Sequence, residues 1–151
     1  MRQVLATVES HEEIKGQFRL LTIQVPDIAC FAKPGQFVHV RCGDTLDPLL
    51  RRPLSLHKIE ADHGRLSLLY RVAGRGTALL AGKQPGEQVD IMGPLGKGFT
   101  IPEHINRAIV VGGGIGAAPL LPLVEALVLA KVDTTVILGA ACQEVLVGGE
   151  A

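Results

Sequence analysis

Residues 51–60 read RRPLSLHKIE: two arginines and a proline set directly before an apolar–hydroxyl–apolar run. Pro53 fixes its own backbone and carries no N–H, which suits the start or the edge of a strand. It also pushes Arg52 into an extended conformation. An arginine held there presents a planar fork of donors, a shape that matches a diphosphate. Ser55 offers a short hydroxyl and an amide able to meet a ring heteroatom, and Leu54 offers an apolar contact. Taken alone, the stretch reads first as a barrel strand flanked by solvated arginines.

A second stretch, LLYRVAGRGTALLAG over 68–82, complements the first. Leu69, Tyr70 and Arg71 close a strand, and Gly74 and Gly76 let the backbone turn sharply. Thr77 is then expected as the N-cap of a short helix ending at Gly82. The free N–H groups of a first helical turn attract anions. A diphosphate clamped between Arg52 and the amides of Gly76 and Thr77 would use both stretches. An ordinary strand-to-helix turn needs the same residues.

The third stretch is VVGGGIGAAPL, with Gly112, Gly113 and Gly114 between an apolar strand and a helix. Gly112, Gly114 and Ala117 approximate G-x-G-x-x-G/A, the turn that brings a backbone close to a dinucleotide phosphate. No Asp or Glu ends the following strand, TTVILGA, to bind a ribose, so a nicotinamide site is incomplete. A fourth stretch, MGPLGKGF over 92–99, reads mainly as a linker. No general acid, base or nucleophile stands out. His39, His57 and Asp90 have no partner visible in the sequence and receive no role.

Elements that position these residues follow from pattern. QVLATVES, FRLLTIQV, PGQFVHVRC, PLSLHKI, RLSLLYRV and EQVDIMGP are short apolar or alternating runs with Gly/Pro punctuation at roughly ten-residue spacing, as in a small antiparallel barrel. In the third of them Val38 and Val40 alternate with Phe37, His39 and Arg41. From Arg107 onward the pattern is strand, Gly-rich loop, helix, strand, one βαβ unit. The expected fold is therefore β barrel plus α/β: a six-stranded antiparallel barrel over 1–103 and an incomplete Rossmann-like unit over 104–151. One crossover helix covers only part of a parallel sheet, and the helix after Pro119 is apolar nearly all round, so burial on several sides is expected. The second unit reads as the opening third of a domain.

Composition narrows the class. The chain has 151 residues, 47% hydrophobic and 20% charged, which is globular rather than disordered. A net charge of zero and the absence of Trp give no electrostatic or stacking case for nucleic acid or an anionic membrane. The N-terminus turns polar too early for a signal peptide, and the longest apolar run is interrupted by Pro122 and Glu125. Cys30, Cys42 and Cys142 fit no metal or redox spacing, and buried or free thiols in a reducing cytosol are the expectation.

In order, R-P-L-S, L-Y-R-V-x-G-x-G-T, G-P-L-G-x-G-F and V-G-G-G-I-G-x-x-P resemble the electron-transfer subunits of NAD-dependent (class B) dihydroorotate dehydrogenases, within the ferredoxin-reductase superfamily. The likeness runs from Met1 to about Gly139. It implies FAD on the barrel, held by Arg52, Pro53, Leu54, Ser55, Leu69, Tyr70, Arg71, Gly76 and Thr77, and a nicotinamide-nucleotide domain opening on Gly112, Gly113 and Gly114. It also implies a cytoplasmic hetero-oligomer with an FMN-containing catalytic subunit, relaying electrons towards NAD in pyrimidine biosynthesis. Members of that family continue well past residue 151 and hold a [2Fe–2S] centre on a late C-x4-C-x2-C cluster, which has no match here. FAD binding is thus expected to survive and the full relay to be incomplete. A reductase subunit of a related hydrogenase, sulfide or glutamate-synthase-like complex, and an inactive fragment, are the alternative readings.

Overall fold

The computed structural model describes residues 1–43 and 45–147. Six strands close into a barrel: β1 (Arg2–Lys15), β2 (Phe18–Gln24), β3 (Phe37–Val40), β4 (Arg52–Glu60), β5 (Arg65–Arg71) and β6 (Gln88–Leu95). Their order around the barrel is β1-β2-β5-β4-β3-β6, with every neighbour antiparallel. Both the barrel and the small α/β unit expected from the sequence are present.

Strand period explains the interior. Side chains two apart share a face, and Val38 and Val40, Leu54 and Leu56, Leu66, Leu68 and Tyr70, and Val89 and Ile91 all turn into one apolar core. Ala6, Val8, Leu21 and Ile23 complete it from β1 and β2. Closure leaves the barrel without an unpaired edge. A one-turn helix, α1 (Pro26–Ala29), buries Ile28 and Ala29. Between β5 and β6 runs α2 (Arg75–Ala81), anchored in the same core by Leu80.

One irregularity in β4 bears on the site. Leu56 pairs with Leu68 and Lys58 with Ser67, so two residues on β4 advance against one on β5. His57 is the extra residue of a β-bulge. The inward series Leu54, Leu56, Ile59 lengthens from a step of two to a step of three across it.

Beyond the barrel, β7 (Arg107–Gly113) leads through a 3-10 turn (Gly114–Ala117) into α3 (Leu120–Leu129) and then β8 (Asp133–Gly139). The two strands pair in parallel from Arg107–Asp133 to Gly113–Gly139. Val110, Leu127 and Val132 form a small core between strands and helix. Burial of α3 on several sides is not what the structure holds: within it only Pro122 and Leu127 are buried, and Leu129 is 83% exposed. This follows because the two-stranded sheet and β4 of the barrel, which α3 also approaches, together cover only part of the helix surface. The unit rests on the barrel through Phe18 and Leu69, which pack with Ala118 and Val147.

Candidate functional site

A cavity of about 580 Å³ opens along that seam. One wall is the start of β4, with Pro53, Leu54 and Ser55. The floor is the end of β5, with Leu69, Tyr70 and Arg71, followed by Ala73. The opposite wall comes from the second unit, with Ile115, Gly116, Ala118 and Pro119. Two of the sequence stretches thus meet because β4 and β5 are neighbours in the barrel.

Arg52, next in sequence to Pro53, is not among the residues lining this cavity, and neither are Gly76 and Thr77. Arg52 Nη1 donates to the Leu50 carbonyl at 2.8 Å. A Cβ built on Gly76 would lie 2.9 Å from Arg52 Nε and 3.3 Å from both Cζ and Nη2. The guanidinium therefore lies directly on the backbone of Gly76, an approach that a side chain at position 76 would block. No carboxylate pairs with Arg52 or Arg71 among the described residues, so their positive charge is not neutralised by an ion pair there.

Thr77 is not the N-cap expected from the sequence. The helix starts at Arg75, capped by Gly74 in extended backbone. Thr77 is its third residue and reaches back: Oγ1 accepts from the Ala73 and Gly74 amides at 3.0 and 3.2 Å and donates to the Gly74 carbonyl at 3.0 Å. This is the returning half of a capping box. The hydroxyl is spent on the turn, and only the Thr77 amide remains for a ligand. Arg75 forms an ion pair with Asp47, fastening the loop before β4 to the same turn.

Leu69 and Tyr70 point opposite ways. Leu69 is buried in the seam against Ala118. Tyr70 turns its ring into the barrel core, so it reaches the cavity from its strand position. Its hydroxyl meets His11 Nε2 at 2.9 Å, and His11 Nδ1 meets the Lys83 carbonyl at 2.8 Å. A carbonyl only accepts, so Nδ1 carries the proton and Nε2 accepts from the tyrosine. Burial pushes the Tyr70 phenol well above the usual tyrosine range.

Gly112, Gly113 and Gly114 are not among the residues lining the cavity. Gly112 has a packing role: a Cβ there would lie 2.5 Å from Leu120 Cδ1 and 3.2 Å from Ala117 Cα. Gly114 turns the chain at φ +52°. The residues just after them, Ile115, Gly116, Ala118 and Pro119, face the barrel instead. Sequence reasoning missed these four, whose only signal is adjacency to the glycine run.

Two residues left without a partner in the sequence reading have one. His57 Nδ1 donates to the Ala118 carbonyl at 2.7 Å. Asp90 accepts from Arg51 Nη2 at 2.6 Å and from Gln3 at 3.1 Å. His39 packs its ring on Phe37, with centroids 5.6 Å apart. Cys42 lies in the barrel core, where burial pushes its thiol up, while Cys30 and Cys142 are exposed. Among the described residues no group of three His, Cys, Asp or Glu side chains gathers to hold a metal.

A closed six-stranded barrel, an arginine resting on a helical glycine and a cleft against a βαβ unit together describe a flavin-type reductase scaffold. Residues 5–99 match the model of the oxidoreductase FAD-binding domain, and the chain belongs to that family. It is 54% identical over 120 residues to the electron transfer subunit of dihydroorotate dehydrogenase B (NAD(+)) of Desulforamulus reducens, covering 80% of this chain and 46% of that one. It is 43% identical over 148 residues to the subunit of the same name from a Geobacillus strain, covering 97% of this chain and 58% of the relative. The chain thus spans about half the length of the curated relatives it matches. Among solved structures, an NADH-dependent reduced ferredoxin-NADP oxidoreductase superposes with a TM-score of 0.85 at 29% identity, over 97% of this chain and 52% of that one. Phthalate dioxygenase reductase shares the fold, with a TM-score of 0.76 at 17% identity, over 95% of this chain and 45% of that one.

Proposed function

We propose that the cavity binds FAD, and that the chain serves as the flavin-carrying part of an electron-transfer subunit working with an FMN-containing dihydroorotate dehydrogenase catalytic subunit. The observation that carries this is the contact between Arg52 and Gly76. It is a cradle that any Cβ would fill, and it sets a guanidinium with no carboxylate partner among the described residues beside backbone donors, next in sequence to the cavity wall at Pro53. An anionic diphosphate is the group that such a pairing fits. Arg52 and the amides around Gly76 and Thr77 would hold the diphosphate. Pro53, Leu54 and Ser55, with Leu69, Tyr70 and Arg71, would flank the ring. When bound, FAD supplies the one- and two-electron chemistry, and the chain supplies orientation, charge and exclusion of water.

On this reading residues 1–103 are the FAD domain and 104–151 begin a nicotinamide-nucleotide domain in which Gly112, Gly113 and Gly114 shape the loop. Transfer towards NAD, contact with the partner subunit, a hetero-oligomeric assembly in the cytoplasm and any [2Fe–2S] relay belong to the proposal. They rest on the similarity to the dihydroorotate dehydrogenase B subunits. The likeness to the NADH-dependent ferredoxin-NADP oxidoreductase supports a second reading, a reductase subunit of another flavin complex. Copurification with a dihydroorotate-oxidising partner, or with a different one, separates the two.

The primary test is an absorbance spectrum of the purified chain, with chromatography of any released pigment. A flavin spectrum and FAD on denaturation are expected. A folded, colourless chain that ignores added FAD refutes the assignment.

A further inference from the structure

We propose that His57, on the outward face of β4 with Ser55, is a positioning residue that holds the segment Ile115–Pro119 as the far wall of the flavin cleft. The inference rests on the FAD reading and deepens it. Two independent observations carry it. The first is its place on the strand: His57 follows inward Leu56 and so shares the outward face of β4 with Ser55, which lines the cleft. The second is the bond that the ring makes, Nδ1–H to the Ala118 carbonyl at 2.7 Å, across 61 residues of chain. Ser55 lies on the cleft two residues before His57, and Ala118 lies on the opposite wall. One side chain therefore links the strand that carries R-P-L-S to the loop that faces it.

The consequence is geometric. The Ala118 amide is itself bonded to the Ile115 carbonyl at 3.0 Å, so holding Ala118 holds the whole 3-10 turn. Packing of Ala118 on Phe18 and Leu69 presses the segment against the barrel but has no direction. The hydrogen bond supplies direction. Cleft width, and with it the environment of a ring lying against Pro53–Ser55, is what the tether sets.

The test compares His57→Phe, which keeps an aromatic ring and loses the donor, with His57→Asn, whose amide can replace the Nδ1–H. In the 151-residue chain without flavin, hydrogen exchange at the Ala118 amide is expected to quicken roughly tenfold in His57→Phe, the scale of one lost hydrogen bond. His57→Asn should restore most of the protection. After loading with FAD, the visible circular dichroism and fluorescence yield of the bound flavin should change in His57→Phe and return towards wild type in His57→Asn. Unchanged exchange in His57→Phe overturns the tether. Changed exchange with an identical flavin spectrum overturns the link to the cleft. If the wild type binds no FAD, the flavin assignment fails and takes the cleft role with it, while the exchange arm still decides the tether.

Discussion

A methyl group added at Gly76 would sit 2.9 Å from Arg52 Nε and 3.3 Å from Cζ and Nη2. Those atoms are the far end of a flexible side chain, so in Gly76→Ala the guanidinium swings away and the fold persists. Alanine is the better helix former by about 0.5–1 kcal/mol, so the flavin-free protein should be as stable as wild type or slightly more so. Flavin affinity should move the other way. A hydrogen bond to a charged group contributes about 1.5–3 kcal/mol, which is roughly ten- to 150-fold in Kd. Arg52 is partly solvated, so the expected loss lies near tenfold. The assay is FAD titration by flavin fluorescence, paired with urea unfolding of the flavin-free chain. A double-mutant cycle identifies the route. In the Arg52→Ala background, itself about tenfold weaker, Gly76→Ala should cost nothing beyond about 0.5 kcal/mol. Wild-type affinity in Gly76→Ala would refute the reasoning. Additive losses would refute the role of Arg52 as intermediary.

Tyr70→Phe leaves His11 Nε2 without its donor and should destabilise the barrel by about 1–2 kcal/mol in urea unfolding near neutral pH. Because burial raises the Tyr70 pKa, the folded chain keeps its proton after the unfolded chain, near pH ~10, has released it. Wild type should therefore lose stability as pH rises past that value, and Tyr70→Phe should lose less over the same range. Gly112→Ala forces Leu120 and the Ala117 backbone apart and should cost about 1–3 kcal/mol of overpacking in denaturant unfolding, while FAD affinity stays within about twofold. Thr77→Val removes three bonds at the turn and should lower stability by about 1 kcal/mol, with Thr77→Ser restoring it.

All six barrel strands were legible because each carries an alternating or apolar run with Gly or Pro close by, as in PGQFVHVRC, whose Val38 and Val40 both reach the core; β1 runs on through polar HEEIK to Lys15, past the expected QVLATVES. Pairing of the R-P-L-S and L-Y-R stretches was legible locally, since β4 and β5 are consecutive strands separated only by the short turn EADHG. Thr77 was misplaced because threonine serves at the cap and at the third helical position alike, and Gly74 caps without a side chain to announce it. The bulge left a trace, the three-residue step from Leu56 to Ile59 in an otherwise alternating run. The partner of His57 left none, because Ala118 accepts through a backbone carbonyl that every residue possesses.

Seven residues are too few for α2 to stand on its own cooperativity. It is held instead from both ends: by Thr77 and the Arg75–Asp47 pair at its start, and just past its end by His11, which fixes the Lys83 carbonyl. Leu80 pins the middle to the barrel core. A ligand arriving at Gly76 thus meets a backbone that is already in place, and little conformational entropy is left to lose there. Binding at this turn should show the thermodynamics of a preformed socket, with a heat-capacity change set by the surface covered and not by coupled folding.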